Sequence, residues 1–221
     1  MTELPLRLAV LISGRGSNLQ TILDTITQGR LAARVMLVIS NRPGAAGLAV
    51  ARAADVPMAV VDHREYPDRE SFEHGLSAHI DDAAVDLIVL AGFMRVLTAE
   101  FVQRYHGRLL NIHPSLLPAF AGLDTHARAL AASAREHGAS VHFVTAAVDG
   151  GPVIAQTRVP VLEEDVPDSL ARRVLEAEHR LYPLVLGWFC EARVALKLGT
   201  VYLDGLPLAA PVQFAYEAQR E

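Results

Sequence analysis

Short runs of consecutive apolar residues alternate along the first half of the chain with longer stretches whose apolar positions recur at helical spacing. Five runs predict strands: Arg7–Ser13, Val35–Ser40, Met58–Val61, Leu87–Ala91 and Leu109–His113. Helices are expected between them, at Asn18–Gln28, Ala45–Ala54, Arg69–Asp82 and Thr98–His106. Alternation of this kind specifies an α/β sheet. Leu87-Ile88-Val89-Leu90 is apolar at every position, as in a central parallel strand covered on both faces. After Pro118 the rhythm changes. A helix near Thr125–Ala134 precedes two extended segments, Ser140–Thr145 and Val153–Val161, joined through the turn-forming Asp149-Gly150-Gly151-Pro152. A short link joins antiparallel strands, so a mixed sheet is expected. Leu170, Val174, Leu175, Leu181 and Val185 then mark a long amphipathic helix. Asp165 is its expected cap, Pro167 lies in its first turn, and Pro183 is expected to kink or divide it. Val194–Leu198 and Val201–Leu203 read as a terminal hairpin around Gly199.

Composition narrows the class without changing this picture. The 221 residues fit one domain, and a chain of this size buries roughly 70% of its unfolded surface without staples. Charges are well mixed, with a net of −5 and no basic block, which argues against a nucleic-acid partner. The single cysteine, Cys190, excludes an intramolecular disulfide and cysteine-rich zinc sites. The first apolar run, Leu8 to Ile12, is too short for a signal peptide core or a membrane span. A cytoplasmic protein with no membrane partner is expected.

Three stretches carry candidate chemistry. In Leu109-Leu110-Asn111-Ile112-His113-Pro114-Ser115-Leu116-Leu117-Pro118, an amide and an imidazole stand two apart on a strand and share one face. Pro114 then stops any helix and favours extended backbone at His113. An amide donor beside a titratable donor suits a developing oxyanion. A carboxylate near His113 would favour its imidazolium form, and Asp149 is the best candidate, although the glycines after it also suit a simple turn. Ser13-Gly14-Arg15-Gly16-Ser17-Asn18 leaves the first strand and opens a helix, where free N–H groups and the helix dipole favour an anion. A tight strand-to-helix turn would leave the same trace. The stretch lacks the Lys-Ser/Thr of a P-loop and the third glycine of a dinucleotide fingerprint. No acidic residue follows the second strand, so a phosphomonoester fits better than NAD. Leu90-Ala91-Gly92-Phe93-Met94-Arg95-Val96-Leu97 offers an apolar wall with exposed backbone for a flat heteroaromatic ligand, or merely a connecting loop. His137 and His142 lack zinc-motif spacing, so no metal is expected. Ser115 lacks a nucleophile elbow.

Taken together, Ile12-Ser13-Gly14-Arg15-Gly16-Ser17-Asn18-Leu19-Gln20, Leu90 to Arg95, Leu110 to Pro118, Ser140-Val141-His142-Phe143-Val144 and Asp149-Gly150-Gly151-Pro152-Val153-Ile154 resemble the folate-dependent phosphoribosylglycinamide formyltransferases. The resemblance runs from Leu8 to about Phe189. It implies a Rossmann-like, doubly wound, mostly parallel sheet with antiparallel C-terminal strands, the formyltransferase fold, as a single domain over 1–221. A phosphate-binding half would span about 1–106, a folate and catalytic half 107–190, and a short hairpin 191–221. It implies 10-formyltetrahydrofolate as cosubstrate, glycinamide ribonucleotide as acceptor, and a monomer or homodimer. Carried over by position, the catalytic residues fall on Asn111, His113 and Asp149. The phosphate loop falls on Gly16, Ser17 and Asn18, and Glu178 holds the ribonucleotide. The folate pocket falls on Arg69, Met94, Arg95, Val96, Leu97, Asn111, Thr145 and Val148.

The chain departs from the family pattern at Ala119, Ala121, Asp124, Ala146 and Ala147, which touches loop detail and affinity rather than the reaction. Methionyl-tRNA formyltransferases share the stretch around His113 but carry a tRNA-binding C-terminal domain, for which the residues after Cys190 leave no room. Formyltetrahydrofolate hydrolase, with an extra N-terminal domain and no such phosphate loop, and a non-catalytic phosphometabolite-binding module are the alternative readings.

Overall fold

Residues 4–217 are described by the computed structural model, so the outermost residues of the expected 1–221 domain lie outside it. In chain order the elements are β1 (Leu6–Ile12), α1 (Ser17–Thr27), β2 (Ala33–Ser40), α2 (Gly47–Ala53), β3 (Met58–Val60), α3 (Arg69–Asp82), β4 (Leu87–Leu90), α4 (Ala99–Arg104), β5 (Leu109–His113), α5 (Thr125–Ala131), β6 (Glu136–Phe143), β7 (Val153–Pro160), α6 (Pro167–Cys190), β8 (Val194–Lys197), β9 (Thr200–Leu203), β10 (Leu206–Pro207) and β11 (Val212–Ala215). Eight strands form the main sheet in the order β11-β7-β6-β5-β4-β1-β2-β3. The run from β5 to β3 is parallel, β6 is antiparallel to both its neighbours, and β11 is parallel to β7. The expected mixed α/β sheet is therefore present.

The unbroken apolar runs follow from burial on both faces. In β1, Leu8, Val10 and Ile12 enter one core, packed with Leu19 and Ile22 of α1 and Leu170, Val174 and Leu181 of α6. Ala9 and Leu11 enter the other, with Phe72 and Leu76 of α3 and Phe101 of α4. In β5, Leu110 and Ile112 face the α1/α6 core, whereas Leu109 faces the other. Asn111 and His113 share the side of Leu109, because alternate strand residues share a face. The Tyr182 hydroxyl of α6 reaches Leu90 O at 3.1 Å and Leu110 O at 3.2 Å, tying that helix to β4 and β5.

Three sequence expectations are revised. Val166, not Asp165, is the residue at the N-cap of α6. The Asp165 carboxylate instead accepts the Leu162 N–H and the Ser169 hydroxyl and pairs with Arg173, closing the turn before the helix. Pro183 does not divide α6, which runs unbroken over 24 residues. Leu181, Tyr182, Val185 and Leu186 are all buried on either side of it. Their packing outweighs the roughly 3 kcal/mol that a proline costs in a helix interior. The tail holds more than a hairpin: β8 and β9 turn about Leu198–Gly199, β10 adds a third strand, and β11 extends the main sheet.

At the exit of β1, Gly16 caps α1 in a left-handed conformation, φ 78°. A Cβ there would stand 2.6 Å from the Gly47 Cα, because α2 is drawn in by a Gly47 N–H bond to Gly14 O at 2.9 Å. Gly16→Ala is expected to cost about 2 kcal/mol through left-handed strain and the backbone clash, lowering the Tm by about 4–8 °C in a thermal melt.

Candidate active site

The strand order reverses at β1, which has β2 on one side and β4 on the other. A crevice opens beyond the carboxyl ends of strands at such a switch point. Polar bonds brace its floor. Ser13 N–H donates to Gly92 O at 3.1 Å, the Ser13 hydroxyl donates to Asn41 Oδ1 at 2.6 Å, and Met94 N–H donates to Ser13 Oγ at 2.7 Å. The cleft encloses about 910 Å³ and is lined in part by Gly16, Ser17, Asn18, Met94, Pro114 and Glu178.

One wall of the cleft gathers backbone N–H groups and arginines. The first N–H groups of α1 lack intrahelical partners, and Arg15, Arg42 and Arg172 border the same space. Among the described residues, none of these three guanidinium groups makes an ion pair. Asn18 Nδ2 donates to Glu178 Oε2 at 2.8 Å, so α6 is bonded to the first turn of α1. Glu178 is 7% exposed. Burial pushes its carboxyl up to about 7, against the opposing pull of the Asn18 bond and the Arg15 charge.

A second polar group gathers where β5 and β6 end. His113 Nδ1 lies 3.3 Å from Asp149 Oδ2, and its Nε2 lies 3.1 Å from the Phe120 carbonyl oxygen. Both ring nitrogens thus lie near acceptor oxygens. Asp149 also accepts the Gly122 N–H at 2.8 Å and stands 3.5 Å from Asn111 Nδ2. Its loop is folded tightly enough that a Cβ on Gly151 would sit 1.8 Å from Phe143 O. Only glycine fits at position 151, two residues after the carboxylate.

His142 completes this group, although sequence reasoning considered it only as a metal ligand, which it set aside, and within the Ser140–Val144 stretch. It stands directly opposite Asn111 in the β5–β6 register. Its Nδ1 lies 2.9 Å from Phe143 O and so carries the hydrogen, leaving Nε2 to accept from Asn111 Nδ2 at 3.1 Å. Burial holds the His142 pKa below its ordinary value, which keeps that acceptor free of a proton. The alternating Ser140-Val141-His142-Phe143 pattern was the available signal, but it acquires meaning only with the antiparallel register. Ser13 and His126, which lines the cleft, were not singled out.

The remaining candidates are dispersed around these two groups. Met94 lines the cleft, and Val96 and Val148 are exposed. Leu97 is packed into the α3/α4 core and offers no side-chain surface. Arg95 lies half-buried with its guanidinium 5.9 Å from the centre of the Phe72 ring. Thr145 starts the loop that ends at Asp149, its hydroxyl donating to Ala147 O at 3.3 Å. Arg69 is the exposed first residue of α3 and does not border the cleft.

The formyl transferase family model matches residues 6–186. A phosphoribosylglycinamide formyltransferase from Haemophilus influenzae is 46% identical over 202 residues, 91% of this chain and 95% of that protein. The structure of the phosphoribosylglycinamide formyltransferase from Coxiella burnetii, in complex with CHES, superimposes with a TM-score of 0.92 at 50% identity, covering 95% of this chain and 99% of that one. A formyltetrahydrofolate deformylase from Pseudomonas putida superimposes with a TM-score of 0.81 at 26% identity, covering 90% of this chain and 70% of that one. The matching domain model, the near-complete coverage and the shared mixed sheet establish that this chain belongs to the formyl transferase family, among the phosphoribosylglycinamide formyltransferases.

Proposed function

We propose that this protein transfers the formyl group of 10-formyltetrahydrofolate to the primary amine of glycinamide ribonucleotide, with Asn111, His113 and Asp149 at the reacting centre. One observation carries the reading: the anion-facing first turn of α1 and Pro114, which follows His113, border the same cleft. A phosphorylated amine held at one end would thus present its nucleophile to the His113 group at the other. Family membership implies a formyl donor of the folate type.

In this reading the phosphate sits on Gly16, Ser17 and Asn18, and a ribose hydroxyl donates to Glu178. The exposed apolar side chains Met94, Val96 and Val148, with the backbone of Arg95 and Leu97, cover one face of the pterin. Arg69 and Thr145 contact the more distal parts of the donor. Amine attack on the formyl carbon moves negative charge onto the formyl oxygen. His113 exchanges its Nε2 bond to Phe120 O for one to that oxygen, and the Asn111 amide supplies the second donor. Asp149 holds the imidazolium through Nδ1 and assists movement of the amine proton to the departing N10. His142, as a fixed acceptor, keeps the Asn111 amide turned with nitrogen toward the site. Both substrates held together also supply orientation. A hydrolase reading has less support, since an anion-binding wall beside the reacting centre serves an acceptor that hydrolysis does not need.

Incubation with both substrates, followed by mass spectrometry, is expected to give formylated ribonucleotide, with no formate released when the amine is withheld. Loss of one oxyanion donor typically costs on the order of 10²–10³ in rate. His113→Ala is therefore expected to fold and to transfer formyl at least roughly a hundredfold more slowly. Near-normal turnover in that variant would remove His113 from the role.

Glu178 has opposite effects on stability and binding. Its folded pKa of about 7 lies above the ordinary 4.5. Its contribution to stability is therefore complete below pH 4.5, declines above it and is gone once pH passes about 7. The difference amounts to roughly 3 kcal/mol. Thermal melts should show Glu178→Gln gaining on the parent protein as pH rises from 5 to 8. Ribonucleotide binding requires the ionised carboxylate, so calorimetric affinity, measured without donor, should fall as pH drops through about 7. In Glu178→Gln it should be weak and retain only the pH dependence of the ligand's own phosphate, whose second pKa is about 6.

A further inference from the structure

A line of polar side chains crosses the sheet from β5 to β11. His113 pairs with Ser140 between β5 and β6, Ser140 with Gln156 between β6 and β7, and Gln156 with Gln213 between β7 and β11. The four residues occupy one transverse row of the sheet, from the imidazole at one end to the tail strand at the other. Ser140 is fully buried and Gln156 is 6% exposed, whereas Gln213 is exposed.

From Arg158 to Ser115 the side-chain donors of the row follow one sense. Arg158 Nε donates to Gln213 Oε1 at 3.1 Å, and Gln213 Nε2 donates to Gln156 Oε1 at 2.8 Å. Gln156 Nε2 donates to Leu117 O and to Ser140 Oγ, each at 2.8 Å. The Ser140 hydroxyl donates to Ser115 O at 2.6 Å and accepts the Leu117 N–H at 3.0 Å. Ser115 in turn donates through its hydroxyl to Ala119 O at 2.6 Å. The turn held in this way, Pro114 to Ala119, begins at His113 and ends beside Phe120, whose carbonyl receives His113 Nε2 at 3.1 Å.

An amide side chain has two orientations, and its partners select one. With a donor from Gln213 against Oε1, Gln156 must turn Nε2 toward Leu117 and Ser140. Without that donor, a flipped amide would set Oε1 against Leu117 O and leave the turn unheld. We propose that Gln213 is a positioning residue for the transfer reaction: through Gln156, Ser140 and the Pro114–Ala119 turn it sets the Phe120 carbonyl that holds His113 in place until the formyl oxygen takes over its Nε2 bond. The inference rests on the assignment of His113 to the reacting centre. Gln213 itself contacts none of the reacting groups.

Three substitutions at this exposed position separate the idea from a simple stabilising role. Gln213→Lys keeps a donor toward Gln156 but sets a like charge beside Arg158. Gln213→Glu strengthens the pairing with Arg158 but removes the donor, and Gln213→Ala removes both. If the row aims His113, kcat at saturating substrates falls in the order Lys, Ala, Glu. Lys should stay near the parent value and Glu should lie about tenfold below it, in keeping with the rate cost of small misplacements. The KM for the ribonucleotide should stay unchanged, because Gly16, Ser17, Asn18 and Glu178, proposed to hold it, make no bond with the Pro114–Ala119 turn. A role confined to the Arg158 pairing predicts the reverse order in Tm with kcat constant, and that outcome overturns the proposal. The imidazole signals of His113 in ¹⁵N-edited NMR test the same row without any reaction. They should shift in Gln213→Glu and hold in Gln213→Lys. Unmoved signals overturn the row, whereas absence of formylated product from the parent protein overturns the transfer reading alone.

Discussion

The candidate site is organised around one carboxylate. Asp149 receives the Gly122 N–H, faces His113 Nδ1 and stands within reach of the Asn111 amide. It thereby joins the end of β5, the segment before α5 and the loop between β6 and β7. A nearly buried carboxylate needs such partners, because desolvation without compensation is costly. Two of its partners, Asn111 and His113, are the residues proposed above to act on the formyl oxygen. The need to satisfy one buried charge thus assembles donors from three segments in a single place.

The other end of the cleft handles a buried charge differently. Glu178 has one side-chain hydrogen bond, from Asn18, and is held in a dry setting that raises its pKa to about 7. Full satisfaction in the free protein would have left no lone pair for a ligand. The two carboxylates therefore differ: Asp149 is bonded to several segments of the protein, while Glu178 has a single side-chain hydrogen bond and, in the proposed function, remains available to a ribose hydroxyl. Near neutral pH the free protein gains little or nothing from the ionised Glu178, a state suited to recognition at some expense in stability.

Much of this was legible in the chain because strand periodicity is local. The parity of Asn111 and His113, the anion-facing turn at Gly16–Asn18 and the parallel core from the run Leu87–Leu90 all follow from neighbouring residues. What failed was non-local or a contest between local preferences. Asp165 looked like a cap, yet its carboxylate is committed to Leu162, Ser169 and Arg173, and Val166 takes the position. Pro183 looked like a break until the packing of its neighbours entered the comparison. His142 and Asn111 meet only through antiparallel register. β11 carries Gln213 between half-buried Val212 and Phe214, too short and too mixed a pattern to announce a sheet strand.

The polar row from His113 to Gln213 also bears on how the sheet selects its own pairing. Edge strands that are short and lack a continuous apolar face are weakly specified, and a slip of one residue turns every side chain over. If β11 slipped by one position against β7, Gln213 would face the α6 side and Gln156 Oε1 would be stranded without a donor. The misregistered form therefore forfeits a buried hydrogen bond as well as its packing. The same amides that aim the imidazole proofread the alignment of the tail, so a molecule folded in the wrong register would also be one whose imidazole is misaimed.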